Sequence, residues 1–306
     1  MSPDHGADPQ TLVRNGKLAV RVASVATERT AVYDPAHGAS EELAMRHEAR
    51  LRNALEQGTL DLAFEPQLDV RSGRIGGLDC MLRWKDSELG LVSEAKAMET
   101  AEASGLVREV TWWTFNNALR LCAEFERAGM KVPVSLKLGA SGLMQPDFPE
   151  FVGRALRTWG IPPSRLVINL QEAALAAGVE QVKDILLRLK AHGLRLGIDS
   201  FGTGASSLGH IVQLPLDEMK LGAMFIGDMK RNAPHAKIVR SLAGLARELG
   251  LRVVAVGVED AETALALSTL GVERIQGDYV SAALAPQEII DFASKLAGLT
   301  LRPGTA

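Results

Sequence analysis

From about Leu60 onward, short continuous apolar runs alternate with longer stretches in which apolar residues recur every third or fourth position. Runs of the first kind suit strands buried on both faces, and those of the second kind suit amphipathic helices. Their alternation is the pattern of βα units around a largely parallel sheet. Strands are expected at 60–70, 74–84, 132–138, 166–170, 195–199, 217–221, 252–256 and 273–276. Eight strands suggest closure, so the expected fold is α/β, a TIM-like (β/α)8 barrel.

Between these strands, 179–192 (VEQVKDILLRLKAH) places Val182, Ile185, Leu186 and Leu189 along one helical face, and Gly193 can terminate it. Gly250 and Gly271 end the preceding helical stretches in the same way, because glycine adopts the left-handed C-terminal cap without a steric penalty. Residues 1–38 differ: they are polar, with one β-like patch at 17–25, and are expected to form an arm or partner-covered strand whose order is left open. A linker helix is expected at 39–58, with Leu43, Ala44, His47, Leu51 and Leu55 on one side. The barrel domain is expected at 59–300.

Composition narrows the function. In the 306 residues, 34 Lys+Arg face 37 Asp+Glu, for a formal charge of −3, and no basic run supplies a backbone-reading surface. Nucleic acid is therefore not an expected partner. Two cysteines, Cys80 and Cys122, are too few for a disulfide scaffold and point to a reducing compartment. The polar N-terminus shows no leader pattern and no run of about 18 apolar residues occurs, so the expectation is a cytoplasmic protein without a membrane span.

In a barrel of this kind, functional groups gather where strands end, because that face alone is built of variable loops over a rigid core. The strand ends offer Asp79 with Arg83, Lys137, Asn169 with Glu172, Asp199 with Ser200, Lys220, Glu259 and Gln276. Taken singly, each could simply solvate a loop. Taken together they outline a polar ring.

Several blocks then converge on one family. DSFGTGASSL at 199–208 is similar to DDFGTGYSSL, LPLDEMK at 214–220 to LPVDxLK, and FEPQ at 64–67 to a Y-Q-P block. LRW at 82–84, VAVGVE at 254–259 (VAEGVE) and QG at 276–277 follow in the same order. The chain thus resembles the EAL domain of bacterial cyclic-di-GMP phosphodiesterases, from about Glu41 to Leu296. The segment from Tyr33 through Gln57 also resembles the junction of GGDEF–EAL composite proteins. No GG(D/E)EF signature occurs in the chain, so the resemblance implies the EAL half without its GGDEF domain.

The family's hydrolysis is a two-metal reaction with divalent cations held mainly by carboxylates. By resemblance, the glutamate of the EAL triplet is Asp79 here, and the metal-binding asparagine is Lys137, an ammonium where an oxygen donor is required. Four further carboxylate positions carry Asn169, Ser200, Gly222 and Val256. Asp79, Asp199, Lys220 and Glu259 are then remnants of a catalytic set expected to be inactive. Arg83, Asp199, Lys220, Glu259 and Gln276 are the expected ligand-binding residues, and Phe201, Gly202, Thr203 and Gly204 the expected loop beside them. Lys137 is expected to stand among Asp79 and Asp199 as a metal-substituting cation. No metal or other cofactor is expected, with magnesium or manganese relevant only to a residual phosphodiesterase.

Glu65 replaces the glutamine of Y-Q-P and sets a negative charge near the site of a dianionic ligand. The resulting expectation is a non-catalytic regulator in cyclic-di-GMP-related signalling, acting through a protein partner, with homodimerisation left open. The alternatives are a metal-independent cyclic-di-GMP receptor and, last, a residual phosphodiesterase.

Overall fold

The computed structural model describes residues 8–25, 30–177, 179–202 and 208–298. Nine strands occur among them: β1 (Leu60–Asp69), β2 (Ile75–Asp86), β3 (Gly90–Val92), β4 (Val134–Leu138), β5 (Leu166–Gln171), β6 (Arg195–Phe201), β7 (Glu218–Leu221), β8 (Arg252–Val256) and β9 (Arg274–Gln276). Eight of these run in the order β1-β9-β8-β7-β6-β5-β4-β2, and β1 pairs back with β2, so the sheet closes into a barrel.

All eight expected strands are present, but the sheet is not wholly parallel. β1 runs antiparallel to both β2 and β9, and β2 through β9 of the barrel run parallel to one another. The cause is local. Ser72 N–H and Oγ both donate to Asp69 Oδ1 at 2.8 and 2.7 Å, and Gly73 adopts a φ of 64°, which turns β1 directly into β2 with no room for a crossover helix.

The chain divides into two compact units, 1–59 with 85–106, and 60–84 with 107–306. In that division the segment 85–106, which lies within the span 59–300 expected for the barrel domain, groups with residues 1–59. In that smaller unit, the β-like patch at 17–25 lies inside a helix, Pro9–Val25. Asp8 caps it by accepting from Thr11 N–H and Oγ at 2.9 and 2.6 Å, and Pro9 occupies the first turn, where its missing N–H costs nothing. The linker helix begins earlier than expected and runs Pro35–Gln57. Its buried positions are Leu51 and Ala54, whereas Leu43 is 49% exposed.

In the larger unit, helices such as Val107–Arg127, Phe148–Trp159 and Val179–Ala191 bury their apolar faces. Val182, Ile185, Leu186 and Leu189 are all buried, as their spacing requires. Gly193, Gly250 and Gly271 have φ of 85°, 70° and 82° at the expected helix ends. Trp112 stacks on Phe151 with ring centroids 4.4 Å apart, beneath the guanidinium of Arg108.

Because side chains alternate across a strand, Leu78, Leu136, Ile168 and Met219 face away from the barrel axis, and the residues between them face inward. Those inward residues are largely polar, and they build the site. No helix among the described residues is long and apolar enough to cross a membrane.

Candidate functional site

Inside the barrel, Lys220 of β7 reaches across to Asp79 of β2, with Nζ 2.6 Å from Oδ1. Ser135, paired with Asp79 in the β2–β4 register, donates its Oγ to the same oxygen at 2.6 Å. The other carboxylate oxygen, Oδ2, accepts from Gln276 Nε2 at 3.1 Å. That amide nitrogen also donates to Glu65 Oε2 at 2.7 Å, and Gln67 Nε2 donates to Gln276 Oε1 at 3.1 Å. Asp79, Ser135, Lys220, Gln276 and Gln67 are all buried, so this is a closed polar network rather than a solvated ring.

The electrostatics follow from that enclosure. Burial by itself would raise the Asp79 carboxyl pKa, but Lys220 and then Lys137, with the Lys220 and Ser135 hydrogen bonds, hold it below the ordinary aspartate range. Glu65 moves the other way: burial raises its pKa, and its bond from Gln276 opposes the rise only in part.

Lys137 and Asn169 are paired Cα neighbours on β4 and β5. Lys137 Nζ stands 3.8 Å from Asp199 Oδ2, with 32% of its side chain exposed. Its charge also acts on Asp79, second to that of Lys220. Lys137 faces Asp199, and the direct counter-charge of Asp79 is Lys220, which spans the barrel interior from the opposite wall. Asn169 is 0% exposed, and neither its amide nitrogen nor its amide oxygen meets a hydrogen-bond partner. Gly197 lies opposite, where a Cβ would come within 2.0 Å of Asn169 Oδ1, so only glycine leaves room for that amide.

The expected mouth ring is in fact split by depth. Asp79, Asn169, Lys220 and Gln276 sit below the rim, and Arg83 lies further along β2, half-buried and on the same strand face as Asp79. Glu259 is exposed in the loop after β8 and does not join the network. Gly222 caps the short helix Ala223–Ile226, and Val256 ends β8.

Around Asp199 the backbone is unusual. Ser200 is the one described non-glycine residue with positive φ, at 53°, and it coincides with a register shift between β6 and β7. Phe201 is buried, and Gly202, at φ 92°, donates its N–H to buried Glu172 Oε2 at 3.1 Å. Glu172 thus fixes the start of the loop. Thr203 and Gly204 lie outside the described residues.

Two residues of the network, Ser135 and Gln67, are not among the residues the sequence singles out. Each lies two positions from one that is, Lys137 and Glu65. The strand period of two is the signal that could have found them.

Metal fit can be judged from the donors present. Asp79 is taken up by an ammonium, a hydroxyl and an amide, and a second ammonium stands at Asp199. Among the described residues, no group of three or more His, Cys, Asp and Glu is placed to hold a metal ion. A divalent pair needs several hard oxygen donors, and this set does not fit one.

Comparison with known proteins agrees with the fold. Residues 48–283 match the EAL domain family model. A cyclic di-GMP phosphodiesterase of Pseudomonas aeruginosa is 28% identical over 90% of this chain and 48% of its own length. The cyclic di-GMP phosphodiesterase NbdA of the same organism is 30% identical over 95% of this chain and 37% of its own length. The chain spans about half or less of the length of these curated relatives. The solved PaMucR phosphodiesterase, in complex with c-di-GMP, superposes with a TM-score of 0.76 at 28% identity, covering 80% of this chain and 99% of that one. The FimX EAL domain of Xanthomonas citri, also in complex with c-di-GMP, shares the fold with a TM-score of 0.73 at 24% identity, over 80% and 96% of the two chains.

Proposed function

The chain belongs to the EAL domain family, and from that premise we propose that it acts in cyclic-di-GMP signalling without hydrolysing the dinucleotide, as a regulator working through a protein partner. The reading is carried by Lys137, whose ammonium faces Asp199 at 3.8 Å where the resemblance puts a metal-ligating asparagine. A cation at that point repels a divalent ion instead of binding it, and Lys220 already engages Asp79. A domain without turnover alters its surroundings only through differential contacts. Exposed Val212 and Met224, 63% and 57% accessible beyond the C-terminal ends of β6 and β7, support a partner surface there.

A second reading, a metal-independent cyclic-di-GMP receptor, is favoured by Glu65. Burial raises its pKa, and Lys220 and Lys137 act on the same carboxylate, so positive charge stands beside it to offset the repulsion a phosphate would meet.

Isothermal titration with cyclic-di-GMP separates these readings, performed once in EDTA and once with excess magnesium and manganese, with hydrolysis followed in the same samples. No binding and no turnover is the result expected for partner-only action, and binding in EDTA without turnover identifies the receptor. Metal-dependent turnover overturns both.

A further inference from the structure

The opposite end of the barrel carries a concentration of arginine. Arg195, Arg252 and Arg274 are the first residues of β6, β8 and β9, and Arg71 follows the end of antiparallel β1, which finishes at the same face. Arg71, Arg195, Arg252 and Arg247, the last from the helix Ala233–Glu248, line one cleft of about 630 Å³. Leu216, Leu251 and Val253 give it an apolar wall.

Two acids line the same cleft, and both are engaged. Asp217 accepts from Lys190 Nζ at 2.7 and 2.8 Å and from Leu196 N–H at 2.8 Å. Glu273 Oε2 accepts from Val253 N–H at 2.6 Å. Beneath them, buried Glu218 serves two guanidiniums at once, Arg252 at 3.6 Å and Arg274 at 3.7 Å. Burial lowers the Arg274 pKa, and Arg252 and Arg195 add to that effect while Glu218 opposes it, as expected where cations crowd. The guanidinium groups of Arg71 and Arg195 form no hydrogen bond or ion pair with another described side chain, although the Arg71 backbone N–H bonds the Asp69 carboxylate.

Arginines at the N-terminal face of a barrel commonly serve stability. That role accounts for Arg252 and Arg274, which share Glu218, and for Arg247, which donates to Leu270 O at 2.7 Å. It does not account for Arg71 and Arg195, which bring positive charge to a concave surface whose acids are already satisfied. Guanidinium groups match phosphate oxygens in a bidentate geometry and stack on flat rings. The volume lies within the roughly 300–1,000 Å³ of small-molecule sites. We propose that this cleft is a binding site for a nucleoside diphosphate or triphosphate, separate from the interior network at the other end of the barrel.

The test is calorimetric titration of the full chain with ADP and with inorganic pyrophosphate at low ionic strength. Saturable binding of ADP is expected, weakened at least tenfold in the Arg71→Gln/Arg195→Gln double variant and unchanged in Arg83→Gln. The double variant should melt as the parent chain does, since neither guanidinium holds a structural partner. Absence of ADP binding overturns the proposal, as does ADP binding that survives the double variant or is lost in Arg83→Gln. Pyrophosphate binding without ADP binding overturns the nucleotide assignment.

Discussion

The ammonium of Lys220 and the carboxylate of Asp79 meet at 2.6 Å with side-chain exposures of 0% and 1%, so the two form an ion pair enclosed inside the barrel. Removing one partner strands a buried charge, which typically costs about 3–5 kcal/mol, whereas removing both can be nearly neutral. Lys220→Met should therefore lower the unfolding free energy by that amount, and Lys220→Met with Asp79→Asn should recover much of it. Urea unfolding of the two singles and the double measures the coupling. A single-variant loss below about 1 kcal/mol would contradict the pairing.

The same pair sets a pH dependence. Burial opposes ionisation of Asp79, but Lys220 and Lys137 outweigh it and lower the folded-state pKa. A lowered carboxyl pKa contributes stability above the unfolded value of about 3.9, and this is lost as pH falls through the folded value. Thermal melts from pH 7 downward should show the parent chain losing stability below about pH 4 more steeply than Asp79→Asn. Parallel curves would remove Asp79 as the source.

Glu65 predicts the opposite sign. Burial raises its pKa, so its folded state favours the proton, and its contribution is full below the unfolded value of about 4.3 and lost as pH rises through the folded value. At neutral pH the charged form is a liability. Glu65→Gln retains an oxygen that can accept from Gln276, and should raise the melting temperature at pH 7 while leaving it unchanged at pH 4. A gain of equal size at both pH values would point to packing instead.

Lys137 behaves differently from Lys220, although the sequence makes it the more conspicuous of the two. About a third of its side chain is exposed and its partner stands 3.8 Å away. Solvent-screened pairs of this kind are worth about 0–1 kcal/mol. Lys137→Ala should cost no more than that in urea unfolding, and a loss of 3 kcal/mol or more would show that Lys137 is a buried counter-charge after all.

Strands such as 195–199, 252–256 and 273–276 were legible because a glycine-marked helix end, at Gly193, Gly250 and Gly271, precedes each of them. Their direction was not, since a period of two is the same whichever way a strand runs. Only the tight Asp69–Ser72 turn makes β1 antiparallel. The helix Pro9–Val25 was misread from the alternation within 17–25, although Asp8-Pro9 carried the cap signal. At the site, the residue types were readable but their partners were not. Asp79 and Lys220 are far apart in sequence, on strands that do not pair, and only barrel closure brings them together.

If Lys137 is what keeps a divalent ion out, then replacing it should admit one. Lys137 and Asn169 are neighbours across β4 and β5, and Asp199 already stands beside Lys137. Lys137→Asn removes the repelling ammonium and supplies a neutral oxygen, and Asn169→Glu adds a carboxylate at a buried position whose amide has no partner. Hard oxygen donors from adjacent strands are the set that manganese and magnesium require. Titration with Mn²⁺ should give no saturable heat for the parent chain, little for Lys137→Asn alone and saturable binding for the combined variant, with circular dichroism confirming that each is folded. Mn²⁺ binding by the parent chain as tight as by the combined variant would mean that Lys137 does not exclude the metal, and the non-hydrolysing reading would lose its main support.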